Sequence, residues 1–121
     1  SLKAELKAAR TGGDSVTTPL VINEQKLTAS DGAAFDEFGW SVAISGSTVV
    51  VGASLDDIGG NVDQGSAYVF NFRGGRWVEA QKLTASDGAT NDNFGWSVAV
   101  SGSTVVVGAI GRPIRGSRVW G

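Results

Sequence analysis

A chain of 121 residues with neither histidine nor cysteine lacks imidazole and thiolate, and with them the usual zinc ligands and every catalytic triad built on those groups. Eighteen glycines against two prolines, and an apolar share of 41% that includes four Trp and five Phe, describe a turn-rich, strand-rich domain rather than a disordered chain or a helical bundle. The formal charge of −2 is unevenly spread, with ten acidic and four basic side chains over residues 24–109 and six basic and two acidic in the flanks, so nucleic acid is not the expected partner of the acidic body.

In chain order, residues 2–10 contain good helix formers, with Leu2 and Leu6 four apart, and predict a short helix that must dock to persist. Residues 11–18, TGGDSVTT, read as linker, so residues 1–18 stand apart from a repeat region over 19–121. After Pro19 an extended stretch, LVINEQKLTA, runs to the turn SDGA. From Phe38, large side chains (Phe38, Trp40, Val42, Ile44) alternate with small ones (Gly39, Ser41, Ala43, Ser45), the period of a strand with two buried faces. A tight corner at Ser45-Gly46-Ser47 turns into TVVVGA, a central buried strand. Beyond the polar loop SLDDIGGNVDQ, the segment GSAYVFNF puts Tyr68, Phe70 and Phe72 on one face. A turn at Arg73-Gly74-Gly75-Arg76 then leads into a more polar outer strand over 77–85.

Residues 25–53 return as residues 81–109 with 25 of 29 positions identical at an offset of 56. Such a period marks a unit that buries its faces only against copies of itself. The expected unit is a blade of four antiparallel strands, a to d, with repeats over about 25–80 and 81–121. The start of the chain supplies a d strand alone, the middle a complete blade, and the end a, b and a stunted c over 116–120. The bulky face of one sheet should fill the small face of the next. Two repeats alone leave broad apolar faces in water, so something must cover them.

These residues resemble the FG-GAP repeats that build the β-propeller of integrin α subunits and of many secreted or surface-exposed bacterial proteins. Phe38-Gly39 and Phe94-Gly95 match the FG element, Gly52-Ala53 and Gly108-Ala109 the GA of GAP, and GSAYVF the strand that follows. The resemblance covers about residues 24–110 and implies an all-β, incomplete propeller with an adhesive or binding role. Two departures stand out. Ser54 and Ile110 replace the proline of GAP, and Ser-Gly-Ser fills the place where calcium-binding members carry an Asp-rich DxDxDG loop, so that calcium site does not transfer.

Acidic residues gather elsewhere. Asp56, Asp57, Asn61 and Asp63 share one loop, and Asp31, Asp36 and Glu37 precede the first FG as Asp87, Asp92 and Asn93 precede the second. Oxygen ligands at this spacing suit calcium, yet polar turns are rich in Asp and Asn for backbone reasons alone. Any calcium is expected in the 56–63 loop or beside Asp31 and Asp36, and no cofactor is required. Asp56 and Asp57 are adjacent and point apart in an extended loop, which does not give the opposed carboxylates of a glycosidase. Trp40 and Trp96 have the aromatic faces that stack on sugars, but their period-two alternation reads as packed core. Trp77, beside a Gly-Gly turn on the outer strand, is the expected exposed contact. The paired glycines suit close blade-to-blade approach better than phosphate binding, since no Walker or GxGxxG pattern surrounds them.

The leading expectation is a non-enzymatic propeller module of an extracellular or surface protein, acting in adhesion or protein or glycan binding. The rival is a structural protomer that assembles head-to-tail, its N-terminal strand over 20–27 pairing with the edge left open by the C-terminal half-blade in another copy or in the same chain. Partners are therefore copies of itself, neighbouring repeats, or a protein or glycan ligand. No apolar run approaches the ~18 residues of a membrane span, and SLKAELKAAR has no signal-like apolar stretch. The C-terminal GRPIRGSRVWG sets three arginines where the first copy has its acidic loop and GSAYVF strand.

Overall fold

A valine-rich strand buried on both faces pairs with a neighbour on each side, and the computed structural model of the chain shows that pairing twice. It describes residues 6–12, 21–111 and 116–120. Among these residues nine strands form three antiparallel sheets and no helix occurs. The first sheet pairs β1 (Leu6–Gly12) with β2 (Val21–Leu27). The second, blade 1, orders β3 (Phe38–Ser45), β4 (Thr48–Ala53), β5 (Ser66–Arg73) and β6 (Arg76–Leu83) side by side. The third, blade 2, orders β7 (Ser97–Ser101), β8 (Thr104–Gly108) and β9 (Ser117–Trp120). The sheets remain open, as in an incomplete propeller.

Both inner hairpins form at Ser-Gly-Ser. Ser45 pairs with Thr48 and Ser101 with Thr104, leaving a two-residue loop whose first member, Gly46 or Gly102, has φ of 56°, a value that glycine adopts without strain. The pairing of β8 with β9 repeats that of β4 with β5: Val105 meets Trp120 as Val49 meets Phe70, and Gly108 meets Ser117 as Gly52 meets Ala67. Residues 117–120 are thus the third strand of blade 2 despite their basic sequence.

The N-terminal helix is not formed. Residues 6–12 are a strand, and they hold β2 in the register by which β5 holds β6, with Leu6 opposite Leu27 as Ala67 is opposite Leu83, and Ala8 opposite Gln25 as Val69 is opposite Gln81. A helix this short is marginal in water, whereas β2 offers a full row of unpaired backbone groups. Residues 11–12 of the expected linker therefore belong to the strand, and residues 1–5 and 13–20 of the expected helix, linker and strand start lie outside the described residues. Among the described residues β2 is also not closed onto the C-terminal half-blade of the same chain: it shares a sheet with β1, and β9 lies in a separate sheet with β7 and β8.

Two cores follow from the alternation. On the large face of blade 1, Phe38, Val49, Val51, Tyr68, Phe70 and Trp77 pack with Leu27 and Ala29 from the segment before the blade. On its small face, Val50 and Ala67 pack against Phe94, Val105 and Val107 of blade 2, with Val98 and Val100 beside them. Large-on-small stacking is thus realised between the two copies, and each fully buried valine contributes about 1.5–3 kcal/mol. The glycines make the approach possible. A Cβ on Gly52 would lie 2.1 Å from the Gly95 carbonyl oxygen, an oxygen that accepts a 2.8 Å hydrogen bond from Ser41 Oγ.

One part of the expected burial fails. Val42 and Ile44 of β3 are 48% and 64% exposed, because among the described residues the segment before blade 1 supplies only β1 and β2 and no inner strands to cover them.

Candidate functional site

The loop between β4 and β5 is built from turns. Ile58 and Asn61 close a small turn through paired backbone hydrogen bonds of 2.9 and 3.1 Å across Gly59-Gly60, and Asp63 adopts a φ of 57°. The loop then stitches to the segment before the second FG: the Asn91 N–H donates to Val62 O at 2.8 Å, Asn93 to Asp63 O at 3.1 Å and Phe94 to Gln64 O at 2.8 Å. Its first task is to tie one blade to the next.

All four loop residues expected as calcium ligands sit in this loop, and the side chains of three of them, Asp56, Asp57 and Asn61, have partners within the protein. Asp56 is buried, at 6% exposure, and its carboxylate accepts a 2.6 Å hydrogen bond from Ser66 Oγ and lies 3.0 Å from Lys82 Nζ. An Asp57 oxygen accepts from the Asp63 N–H at 2.8 Å, and the Asn61 amide donates to Gln64 Oε1 at 2.8 Å. Among the described residues no three acidic side chains gather in a way able to hold a metal ion. The positive charge beside Asp56 is the Lys82 ammonium. The same ammonium pairs with Asp31, whose other oxygen accepts a 2.6 Å hydrogen bond from the Tyr68 hydroxyl.

This cluster of Asp31, Asp56, Tyr68 and Lys82 draws on four separate segments, which is why sequence spacing did not reveal it. Its echo in blade 2 explains part of the basic C-terminus: Arg118 stands in the register place of Tyr68 and pairs with Asp87, the copy of Asp31. Burial pushes the Asp36 carboxyl above its usual range, with the Asp56 charge adding to the effect. Asp63 is raised by burial and by the charge of Asp57. Burial opposes the charged form of Asp31 too, yet Lys82 and Tyr68 outweigh it and hold that carboxyl below its usual range.

Lys82 and Tyr68 make the fold sensitive to base. Burial disfavours the ammonium, but its hydrogen bonds to Asp31, Asp56 and Tyr68 prevail and raise its pKa above 10.5. Burial and the Asp31 carboxylate raise the Tyr68 hydroxyl above 10.0. In both cases the folded state binds the proton more tightly than the unfolded chain, so the stabilisation is complete below those unfolded values and is lost as pH rises through the folded ones. The melting temperature is therefore expected to fall above about pH 10. In Lys82→Met it should start lower at neutral pH and decline less steeply with base. An equal decline in the variant would remove Lys82 from this account.

The tryptophans reverse the expected order. Trp77 is not an exposed contact: it is 5% exposed, stands edge-on to Phe72 at 5.2 Å, and its backbone N–H and C=O are both bonded at 2.7 Å to the Gln25 side chain. Its place opposite Phe72 turns it toward the large-face core. Trp40 and Trp96, expected in the core, are 49% and 38% exposed. Gly39 and Gly95 share a φ of 95°, and the β3 register slips between Phe38 and Ser41, so the residue after each FG leaves the strand alternation. The two indoles meet, ring centroids 4.8 Å apart and planes at 44°, as a bare aromatic pair spanning both blades.

The FG and GA elements come together in space: Phe38 is the cross-strand partner of Ala53, and the Gly95 N–H donates to Gly108 O at 3.0 Å. A family model of the FG-GAP repeat matches residues 21–70 and 77–118, which spans most of the described strands. The chain belongs to the FG-GAP repeat family. Neither the curated proteins nor the solved structures contain a match to it. FG-GAP repeats build modules of the β-propeller type, which are generally non-catalytic and typical of extracellular or surface proteins. Among the described residues no helix is long and apolar enough to cross a membrane. In this FG-GAP chain Gly52 and Gly95 meet across the two blades, Phe38 and Ala53 lie in the first core and Phe94 and Ala109 in or against the second, while Gly39 has a φ of 95° like Gly95 and the Gly108 carbonyl accepts the Gly95 N–H.

Proposed function

We propose that the chain is a non-catalytic recognition module of an extracellular or surface protein, acting in adhesion through a protein or glycan ligand that seats on the Trp40–Trp96 pair. The carrying observation is that pair: two large indoles exposed together, 4.8 Å apart, on neighbouring blades where Phe38, Tyr68, Phe70, Trp77 and Phe94 are buried. An indole offers a broad rigid apolar face with a polar N–H at its edge, the combination that dominates protein contacts and stacks on sugar rings. Absence of imidazole and thiolate from the sequence, and the internal pairing of Asp56 with Lys82, support binding over catalysis.

The test is binding of the fluorescently labelled chain to a printed oligosaccharide panel and to immobilised collagen and fibronectin. Retention on at least one of these surfaces is expected, with loss in Trp40→Ala/Trp96→Ala at unchanged circular dichroism. Equal retention of the double variant, or retention on none of the surfaces, overturns the reading.

A further inference from the structure

Each copy of the repeat carries one chemically labile peptide step. Asp31-Gly32 and Asp87-Gly88 are the two places in the sequence where Asp or Asn precedes glycine. Both lie in an SDGA turn before an FG element, with the glycine N–H donating at 3.1 Å to the carbonyl three residues back, Ala29 O in one copy and Ala85 O in the other. Glycine has no side chain to shield its nitrogen, so the carboxyl carbon of a preceding aspartate reaches it more easily than where a side chain flanks it. Both aspartates are exposed, which brings water to the step.

The fold has its own need for these residues, and it also restrains them. A Cβ on Gly88 would fall 2.0 Å from Gln64 Nε2, and Gln64 is buried, with its Oε1 held by the Asn61 amide. Asp31 and Asp87 are the counter-charges of Lys82 and Arg118. Asp31 Oδ1 accepts a 2.6 Å hydrogen bond from the Tyr68 hydroxyl and Oδ2 one from the Lys82 ammonium, while Asp87 Oδ1 accepts from the Arg118 guanidinium. Charge-assisted bonds of this kind are strong and directional. They tie each carboxylate to β5 and β6, or to β9, and keep it from folding back on the next peptide nitrogen.

We propose that Asp31-Gly32 and Asp87-Gly88 are sites of spontaneous aspartate isomerisation, each restrained by the ion pair that holds its carboxylate. In the first step the glycine nitrogen bonds to Cγ of the protonated carboxyl, and the amide proton and the carboxyl hydroxyl leave together as water. The product is a five-membered succinimide. Water then adds to one of its two carbonyls. Opening the bond to Cγ restores aspartate, whereas opening the bond to the original main-chain carbonyl carbon leaves isoaspartate. The main chain is then one methylene longer and the carboxylate sits directly on Cα. No reactant besides water is consumed. The shortened carboxylate of isoaspartate at position 31 loses its reach to Lys82, so the modified chain gives up the tie between the SDGA turn and β6 and melts at lower temperature.

The experiment is incubation of the full chain for weeks at neutral pH and body temperature, with isoaspartate counted by enzymatic methyl transfer and located by peptide mapping. The wild type should accumulate it slowly at both steps. Lys82→Met should speed the reaction several-fold at Asp31 and leave Asp87 unchanged, and Arg118→Met should do the reverse. Lys82→Arg, which keeps the charge, should stay near the wild-type rate. Tyr68→Phe releases Asp31 Oδ1 alone and replaces Lys82→Met as the test should that variant lose its circular dichroism. The other copy in the same molecule is the control, since general unfolding speeds both steps together. Isoaspartate at neither step, a rate at Asp31 indifferent to both Lys82 and Tyr68, or rates that rise together in every variant overturns the proposal.

Discussion

Gly52→Ala is expected to destabilise the fold by about 3 kcal/mol, whereas Gly108→Ala, the same change in the same sequence context, should shift stability by no more than about 1 kcal/mol. Neither glycine has a positive φ, so backbone strain does not separate them. Space does. At Gly52 the added methyl would lie 2.1 Å from the Gly95 carbonyl oxygen and 2.4 Å from Ser41 Oγ. The Gly95 backbone cannot retreat without breaking the hydrogen bonds it makes to Ser41 and Gly108. At Gly108 the methyl meets Ser97 Oγ at 2.4 Å and nothing else within 3.5 Å, and a serine hydroxyl can rotate away. Urea denaturation of both variants provides the comparison. Equal costs would mean that the two blades do not stack as described.

Trp77→Ala should cost about 3–5 kcal/mol, the usual range for removing a large aromatic side chain from a core. Trp40→Ala should change stability by about 0.5 kcal/mol or less, as exposed substitutions commonly do. Trp77 is packed against Phe72 and the residues around Leu27, whereas the hydrogen bonds from Gln25 go to the backbone of residue 77 and remain available after the change. Trp40 is 49% exposed and has a neighbouring indole as its described ring partner. Sequence reading alone predicts the opposite order, so denaturant midpoints of the two variants decide between the faces directly. A small effect at Trp77 would return it to the surface.

The blade itself was legible. Period-two alternation from Phe38, continuous valines in TVVVGA, and glycine at each corner define strands and turns through local steric rules, and near-identity at an offset of 56 makes the second hairpin follow from the first. The short third strand over 117–120 lies outside the near-identical block, and only the count of strands per blade pointed to a stunted one over 116–120. Residues 6–10 were misread because intrinsic propensity competes with an unpaired strand edge, and that edge belongs to β2, beyond the segment itself. The acidic loop was found, but not its counter-charge: Lys82 lies 51 residues from Asp31, and nothing local connects them.

Which side chains are core and which are surface was settled at a different level. Alternation divides a strand into two faces, but burial requires a neighbour, and two copies of one sequence met different neighbours here. Val98 and Val100 are half covered because blade 1 lies beside them, while Val42 and Ile44 are bare. Trp40 and Trp96 left the alternation at a glycine whose φ only the folded backbone reveals. The sequence by itself determined strands, turns, register and the family motif, since those depend on backbone sterics and nearest neighbours. Only tertiary structure decided exposure, the charge cluster and the aromatic pair, because each requires groups from distant segments to arrive at one place.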